Sequence, residues 1–289
     1  LSFRAAVLGA VFTLASCSHP KLGPPPSGPK FTVGDPYQSQ GEWLYPQVFN
    51  SYDVTGLSAV TFNDQNQATA DGEAYDPDAL AAGSPVLQLP AIVTITNLVN
   101  GRSMDVRVND RAPDNPGRII AVTPKVASML GFPQDGVVEV EVVLNDQRTA
   151  AIDAALGQGP KLTAAPVAGI TAQSLGPPGS ANTGAAQTLA PQDDSGMAGD
   201  NGQVSGVVTA EAPDPGPLYV EIPGFGSERD ADQAMTALYG MPAFVVPVFG
   251  GSRTLFAVRS GPYHNVADAD AALQALLQRG VSDPEIIVR

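Results

Sequence analysis

Between Phe132 and Tyr219 the chain has no Phe, Tyr or Trp, and from Asp146 to Gly216 Ala, Gly, Pro, Ser, Thr and Gln dominate. A stretch so poor in large apolar side chains does not bury enough surface to offset the entropy of ordering it. The chain is therefore expected to fold as two units joined by a disordered linker over 146–215, with a short helix near Ala150 to Leu156. With 289 residues, 27 Pro and 30 Gly, it is long enough for two small domains but not for packed core throughout. The excess of 29 acidic over 15 basic residues, a net charge of −14, excludes a nucleic-acid partner, because phosphate binding needs a cationic face that displaces counterions. A neutral or amphoteric polymer suits this surface better. One Cys and two His, His19 and His264, give no disulfide framework and no spacing for a structural zinc or a Cys/His nucleophile pair. No metal and no cofactor is expected.

At the N-terminus Arg4 precedes an uncharged apolar run from Ala5 to Leu14. That run is too short to span a bilayer and right for the core of a signal peptide. Leu14-Ala15-Ser16-Cys17 resembles a bacterial lipobox, which makes Cys17 the expected lipid attachment site and residues 1–17 a lipoprotein signal peptide. Ser18, rather than Asp, resembles the outer-membrane sorting pattern; the alternative is an ordinary secretory leader with an incidental Cys. Residues 18–54 are expected to form a Pro/Gly-rich tether to about Lys30 and then an aromatic lead-in holding Tyr37, Trp43, Tyr45, Phe49 and Tyr52. The aromatics are read as cladding on the first domain, with a ligand platform as the other possibility.

From 55 to 145 the periodicity is two. Ala91 to Leu98 and Ser103 to Asn109 read as strands joined at Asn100-Gly101, which suits a type I′ hairpin turn. Met104, Val106 and Val108 share one face of the second strand, and Asp105, Arg107 and Asn109 the other, so Asp110 follows with the parity of the buried set. A partly desolvated carboxyl there has a raised pKa, as a general acid near neutral pH requires; an Asx turn ahead of Arg111 explains the same residue without chemistry. Thr123-Pro124 to Gly131 carries the cap, first-turn proline and glycine stop of a short helix, and Val138, Val140 and Val142 alternate with Glu139 and Glu141. Short strands, tight turns and one helix fit a closed barrel, which leaves no exposed edge.

Several spaced motifs then coincide: Ala70-Asp71-Gly72-Glu73-Ala74-Tyr75-Asp76, Thr96-Asn97-Leu98, Asn100-Gly101-Arg102-Ser103, Val106-Arg107-Val108-Asn109-Asp110-Arg111 and Arg118-Ile119-Ile120. Together, from about Thr55 to Glu141, they strongly resemble the rare lipoprotein A family of septal-ring lytic transglycosylases. The resemblance implies a six-stranded double-psi β-barrel that cleaves the bond between N-acetylmuramic acid and N-acetylglucosamine in glycan strands stripped of stem peptides. It makes Asp110 the candidate acid/base and Glu73 the partner that orients sugar or stabilises an oxocarbenium-like state, though the sequence leaves the two roles exchangeable. Asn109, Arg111 and Tyr75 are the expected substrate-binding residues beside them. Val60-Thr61 stands where the family has Trp-Tyr, Ser84 where it has His, Ala112 where it has Gly, and Ala121 where it has Asp.

The C-terminal part, 216–289, repeats itself. Val220, Phe225, Asp230, Ala231, Asp232, Ala234 and Leu238 recur as Val258, Tyr263, Asp268, Ala269, Asp270, Ala272 and Leu276, each pair offset by 38 (263 − 225 = 38). Each half reads strand, helix, strand, an α+β ferredoxin-like βαβ-βαβ arrangement with one sheet face open. Leu218 to Phe225 and Phe256 to Tyr263 resemble the half-signatures of the SPOR family, whose members bind denuded peptidoglycan at division sites. Tyr219, Glu221, Phe225 and Arg259 are the expected glycan contacts; the alternative is a ferredoxin-like domain with another partner. Three functions follow: a lipid-anchored, outer-membrane lytic transglycosylase facing the periplasm with division-site proteins as neighbours, a non-catalytic peptidoglycan-binding lipoprotein, and an expansin-like loosener.

Overall fold

The computed structural model describes residues 26–63, 67–133, 136–158, 203–250 and 253–289. The expected signal peptide, Cys17, the first part of the tether and most of the expected linker lie outside them. The lead-in forms a hairpin, β1 (Tyr37–Ser39) with β2 (Glu42–Leu44), turning through Gln40 and Gly41 at positive φ. Phe49 and Tyr52 meet edge-on at 5.1 Å and pack on the barrel core, whereas Trp43 and Tyr45 stay about half exposed. The cladding is thus carried by Phe49 and Tyr52, with Tyr37 donating its hydroxyl to Pro85 O at 3.2 Å.

Six strands close the barrel: β3 (Asp53–Val60), β4 (Ala81–Gly83), β5 (Ala91–Asn97), β6 (Arg102–Asp110), β7 (Arg118–Val122) and β8 (Val138–Leu144). Their order is β4-β7-β3-β8-β5-β6, and a further β4–β6 pairing joins the ends. Parallel pairs β3–β7 and β4–β6 are set among antiparallel ones, the double-psi pattern. Alternation drives the closure. Val138, Val140 and Val142 point inward with Val93, Ile95, Met104, Val106, Val108 and Ile120, all nearly or fully buried. Helix α1 (Pro124–Leu130) plugs one side. Thr123 caps it by accepting from the Val126 N–H, and Gly131 ends it at φ +70°.

Two expectations need correction. The β5–β6 connection is no two-residue type I′ turn: the loop is longer, the Gly101 N–H bonds the Asn97 carbonyl at 2.7 Å, and only Gly101 adopts positive φ. Asn97 is taken up inside, donating to Leu130 O and accepting from Val99 N, which fixes the chain before Asn100 is reached. The second correction concerns the expected linker, which is ordered at both ends. Helix α2 (Asp146–Ala155) places Thr149 and Ile152 on one buried face and lets the Thr149 hydroxyl accept from Ile92 N. Downstream, β9 (Thr209–Ala210) pairs with the start of β6, and Glu211 N and Asp214 N bond Gly101 O and Leu98 O. Main-chain hydrogen bonds need no large side chains, so composition does not reveal them.

The second domain is one antiparallel sheet, from β10 (Leu218–Phe225), β11 (Ala243–Gly250), β12 (Arg253–Tyr263) and β13 (Glu285–Val288), in the order β11-β12-β10-β13. Helices α3 (Glu228–Ala234) and α4 (Val266–Gln278) cover one face. The repeat is visible as symmetry: Glu221 lies opposite Arg259, its counterpart 38 residues later, so a pseudo-dyad passes between β10 and β12. The caps repeat as well, Ser227 accepting from Asp230 N and Asn265 from Asp268 N.

The two domains pack on each other. Leu57 and Leu98, turned outward from the barrel, join the apolar cluster of Leu218, Val220, Leu273 and Ile286. Thr55 donates to Val288 O at 2.7 Å, and Arg118 grips Asp270 with two nitrogens at 2.7 and 2.8 Å. Gly56 and Gly117 permit the approach, since a Cβ on either would meet Ile286 at about 3 Å.

Candidate functional site

Glu73 is presented by a turn that its neighbours dictate. Gly72 N bonds Thr69 O, Thr69 N bonds Glu73 O, and Ala68 pairs with Ala74. Gly72 sits at φ +94° with the Gly28 carbonyl pressed against it, where a side chain has no room. The Glu73 carboxylate accepts from Arg107 Nη2 at 2.9 Å and Nε at 3.4 Å, and from Asn109 Nδ2 at 2.8 Å. Arg107 and Asn109 alternate along β6 on the same face, as the strand parity requires.

Asp110 ends β6 and is held by the main chain. Its Oδ1 accepts from Ala70 N at 2.9 Å and Arg111 N at 2.8 Å, while Oδ2, among the described residues, receives only the Asn63 amide at 3.2 Å. Burial pushes this carboxyl above its ordinary pKa, against the opposing pull of the Ala70 and Arg111 N–H groups. The structural and chemical readings of Asp110 thus fall on different oxygens: Oδ1 fixes the turn and Oδ2 is left to the groove.

Glu73 and Asp110 line one open groove of about 450 Å³, with Tyr75, Arg107, Asn109 and Thr61 in its walls. Tyr75 is nearly buried and spends its hydroxyl on Thr61 O at 3.0 Å, so it contributes a ring wall rather than a free donor. Arg111, expected on substrate, points elsewhere. Its guanidinium donates to the carbonyls of Ser84, Leu87 and Val33, tying the lead-in to the barrel. Ser84 is buried, accepts from Val86 N and Leu87 N through its hydroxyl, and does not line the groove. Pro29 reaches the groove wall, because Ser27 N and Gly28 N bond Gly72 O and Lys30 N bonds Asp71 O. The last residues of the expected tether are therefore fastened to the Glu73 turn.

In the second domain Tyr219 and Glu221 project from the sheet face opposite the helices, the former stacking edge-on with Phe244 at 6.0 Å. Glu221 is buried and paired with Arg259 across the strands, so the two charges neutralise each other. Phe225, expected on the glycan, instead packs against the apolar cluster under the helices. Sequence reasoning missed Arg107 and Asp71 as members of the barrel site. The signal for Arg107 was its shared face with Asn109; for Asp71, a buried acid inside the turn, no sequence signal separates it from a solvent-facing one.

Residues 54–142 match the lytic transglycolase family, and 214–287 match the SPOR domain. The chain is 28% identical over 277 residues to the endolytic peptidoglycan transglycosylase RlpA of Pseudomonas aeruginosa, covering 88% of this chain and 76% of that protein. It is 33% identical over 134 residues to the RlpA of Yersinia pestis, covering 40% of this chain and 37% of that protein. With the Escherichia coli RlpA the identity is 31% over 188 residues, 62% of this chain and 50% of that protein. In the order of its two domains, and in a likeness that runs through most of its length, the chain is similar to the rare lipoprotein A transglycosylases.

Proposed function

We propose that this protein is a lytic transglycosylase of the cell envelope that cleaves peptidoglycan strands between N-acetylmuramic acid and N-acetylglucosamine. The observation that carries the reading is the asymmetry of two carboxylates on one groove. Asp110, with a raised pKa and an Oδ2 met among the described residues by a neutral amide, protonates the glycosidic oxygen as the C–O bond breaks. Glu73, held in place by Arg107 and Asn109, faces the positive charge that develops on the sugar ring. Asp110, now a base, takes the proton of the muramoyl C6 hydroxyl, whose oxygen closes the 1,6-anhydro ring. Proton and bonds balance without water as nucleophile, so one acid/base suffices, unlike the paired carboxylates of hydrolases.

In this reading Cys17 carries the outer-membrane anchor, the SPOR domain holds strands freed of stem peptides at the division septum, and division-site proteins are its neighbours. The domains run 55–145 and 216–289. A second reading, a peptidoglycan-binding lipoprotein without turnover, rests on Ser84 and Ala121, which stand where the family has His and a second Asp and are buried behind the groove wall. Purified protein on amidase-treated sacculi, with released products analysed by mass, decides between them. Anhydro-ended products are expected from wild type and should fall about 10²–10⁴-fold in Asp110→Asn. Retention on sacculi with no such product would establish the second reading.

A further inference from the structure

Asp71 has no role in the scheme above, yet its side chain is fully buried beside the groove. Its Oδ1 accepts from the Thr69 hydroxyl at 2.7 Å and from Glu73 N at 3.0 Å. Its own N–H donates to Asn109 O at 3.1 Å. Among the described residues Oδ2 has no hydrogen-bond partner, and it stands 3.8 Å from Arg107 Nη2, the nitrogen that donates to Glu73. An orphaned buried carboxylate oxygen is costly. The turn does not require it, because Asn or Ser supplies the same acceptor to a residue two positions on. What an acid alone adds is a charge that Arg107 feels.

We propose that Asp71 is a positioning residue for Glu73: it fixes the Glu73 main chain through the turn and shares Arg107 with it, so that its charge sets how firmly the guanidinium holds Glu73. The role in catalysis rests on the glycan-cleaving reading of the groove; the coupling to Arg107 does not. The charged groups around Asp71 are Glu73 on its own turn, Arg107 from β6, Asp110 through the adjoining Ala70 N–H, and Lys30, whose main chain donates to Asp71 O. Burial, with help from the Glu73 charge, pushes the Asp71 carboxyl up to about 6, against the pull of Glu73 N–H, the Thr69 hydroxyl and Arg107. Below that pH Asp71 is neutral and Arg107 serves Glu73 alone. Above it, ionised Asp71 competes for the same guanidinium.

The test uses the full chain. In ¹⁵N–¹H spectra the Arg107 Nε–Hε signal of wild type is expected to move with pH about a midpoint near 6, and to stay flat in Asp71→Asn, which keeps the Oδ1 acceptor and removes the charge. On amidase-treated sacculi the variant is expected to keep the wild-type KM, to lose the step in the pH profile at that midpoint, and to hold on both sides of it the kcat that wild type shows below it. A wild-type Arg107 signal that ignores pH through this range, or a midpoint that survives in Asp71→Asn, overturns the proposal. The wild-type titration needs no variant and no turnover. Absence of anhydro product beside an intact titration would therefore sink the enzymatic reading and leave the coupling standing.

Discussion

Asp110 and Glu73 bring the same functional group to one groove, and different partners hold them there. Side-chain cations and amides reach Glu73; main-chain N–H groups reach Asp110 Oδ1, and Asn63 donates to Oδ2. Because Asp110 titrates above an ordinary aspartate, its protonated form persists to higher pH, and kcat/KM is expected to fall about tenfold per pH unit once pH exceeds its pKa. Asn63→Ala removes a hydrogen bond that favours the charged form, so that limb should move to higher pH. A limb that stays in place in the Asn63→Ala profile would show that the working proton is not on Oδ2. Strand parity alone read Asn109 onto the face of Arg107. The meeting of that face with Glu73, 34 residues away, depends on barrel closure, which no local pattern encodes.

Caps and alternation were the legible elements, since each is written within a few residues. Thr123-Pro124 and Gly131 bound α1 as their chemistry dictates, and the offset of 38 between Asp230 and Asp268 marked both helix starts of the second domain, which the structure caps with Ser227 and Asn265. The β5–β6 loop was misread because Asn97 is consumed by a distant carbonyl, that of Leu130. α2 was nearly hidden because a helix with two buried residues, Thr149 and Ile152, carries almost no amphipathic signal. The Thr123 cap also has a tertiary duty: its hydroxyl donates to Ala79 O at 2.7 Å, tying α1 to the segment entering β4. Thr123→Ala loses the cap and the bond to the part-buried Ala79 carbonyl, for an expected cost of about 1–2 kcal/mol. It should appear as a lower urea midpoint for the barrel at unchanged slope; an unchanged midpoint would mean that water replaces the hydroxyl.

At the scale of the whole molecule, the aromatic-poor centre suggested two independent bodies, whereas Leu57, Leu98 and the Arg118–Asp270 pair dock them. The evidence for docking in sequence is a single outward Leu on β3, indistinguishable from an ordinary surface residue. Docking also gathers acids. Glu285 is pushed up to about 7 by burial first and then by Glu221 and Asp283, with Arg289 opposing; Glu42, on the lead-in hairpin, is pushed up to about 7 by burial, Asp283 and Glu285. If undocking returns both toward 4.5, the docked form binds more protons. Its stabilisation is then complete below about pH 4.5 and is lost as pH rises through about 7. Calorimetry of the full chain is expected to show one transition at pH 5 and two at pH 8. Glu42→Gln with Glu285→Gln should restore the single transition at pH 8, because neither amide pays to lose a charge. Leu57→Asp should split the transition at both pH values, since it plants a carboxylate in the shared apolar cluster. Two transitions in wild type at pH 5 would mean that the domains unfold independently despite their contact, and the acids between them would then have no bearing on how the barrel and the sheet are held.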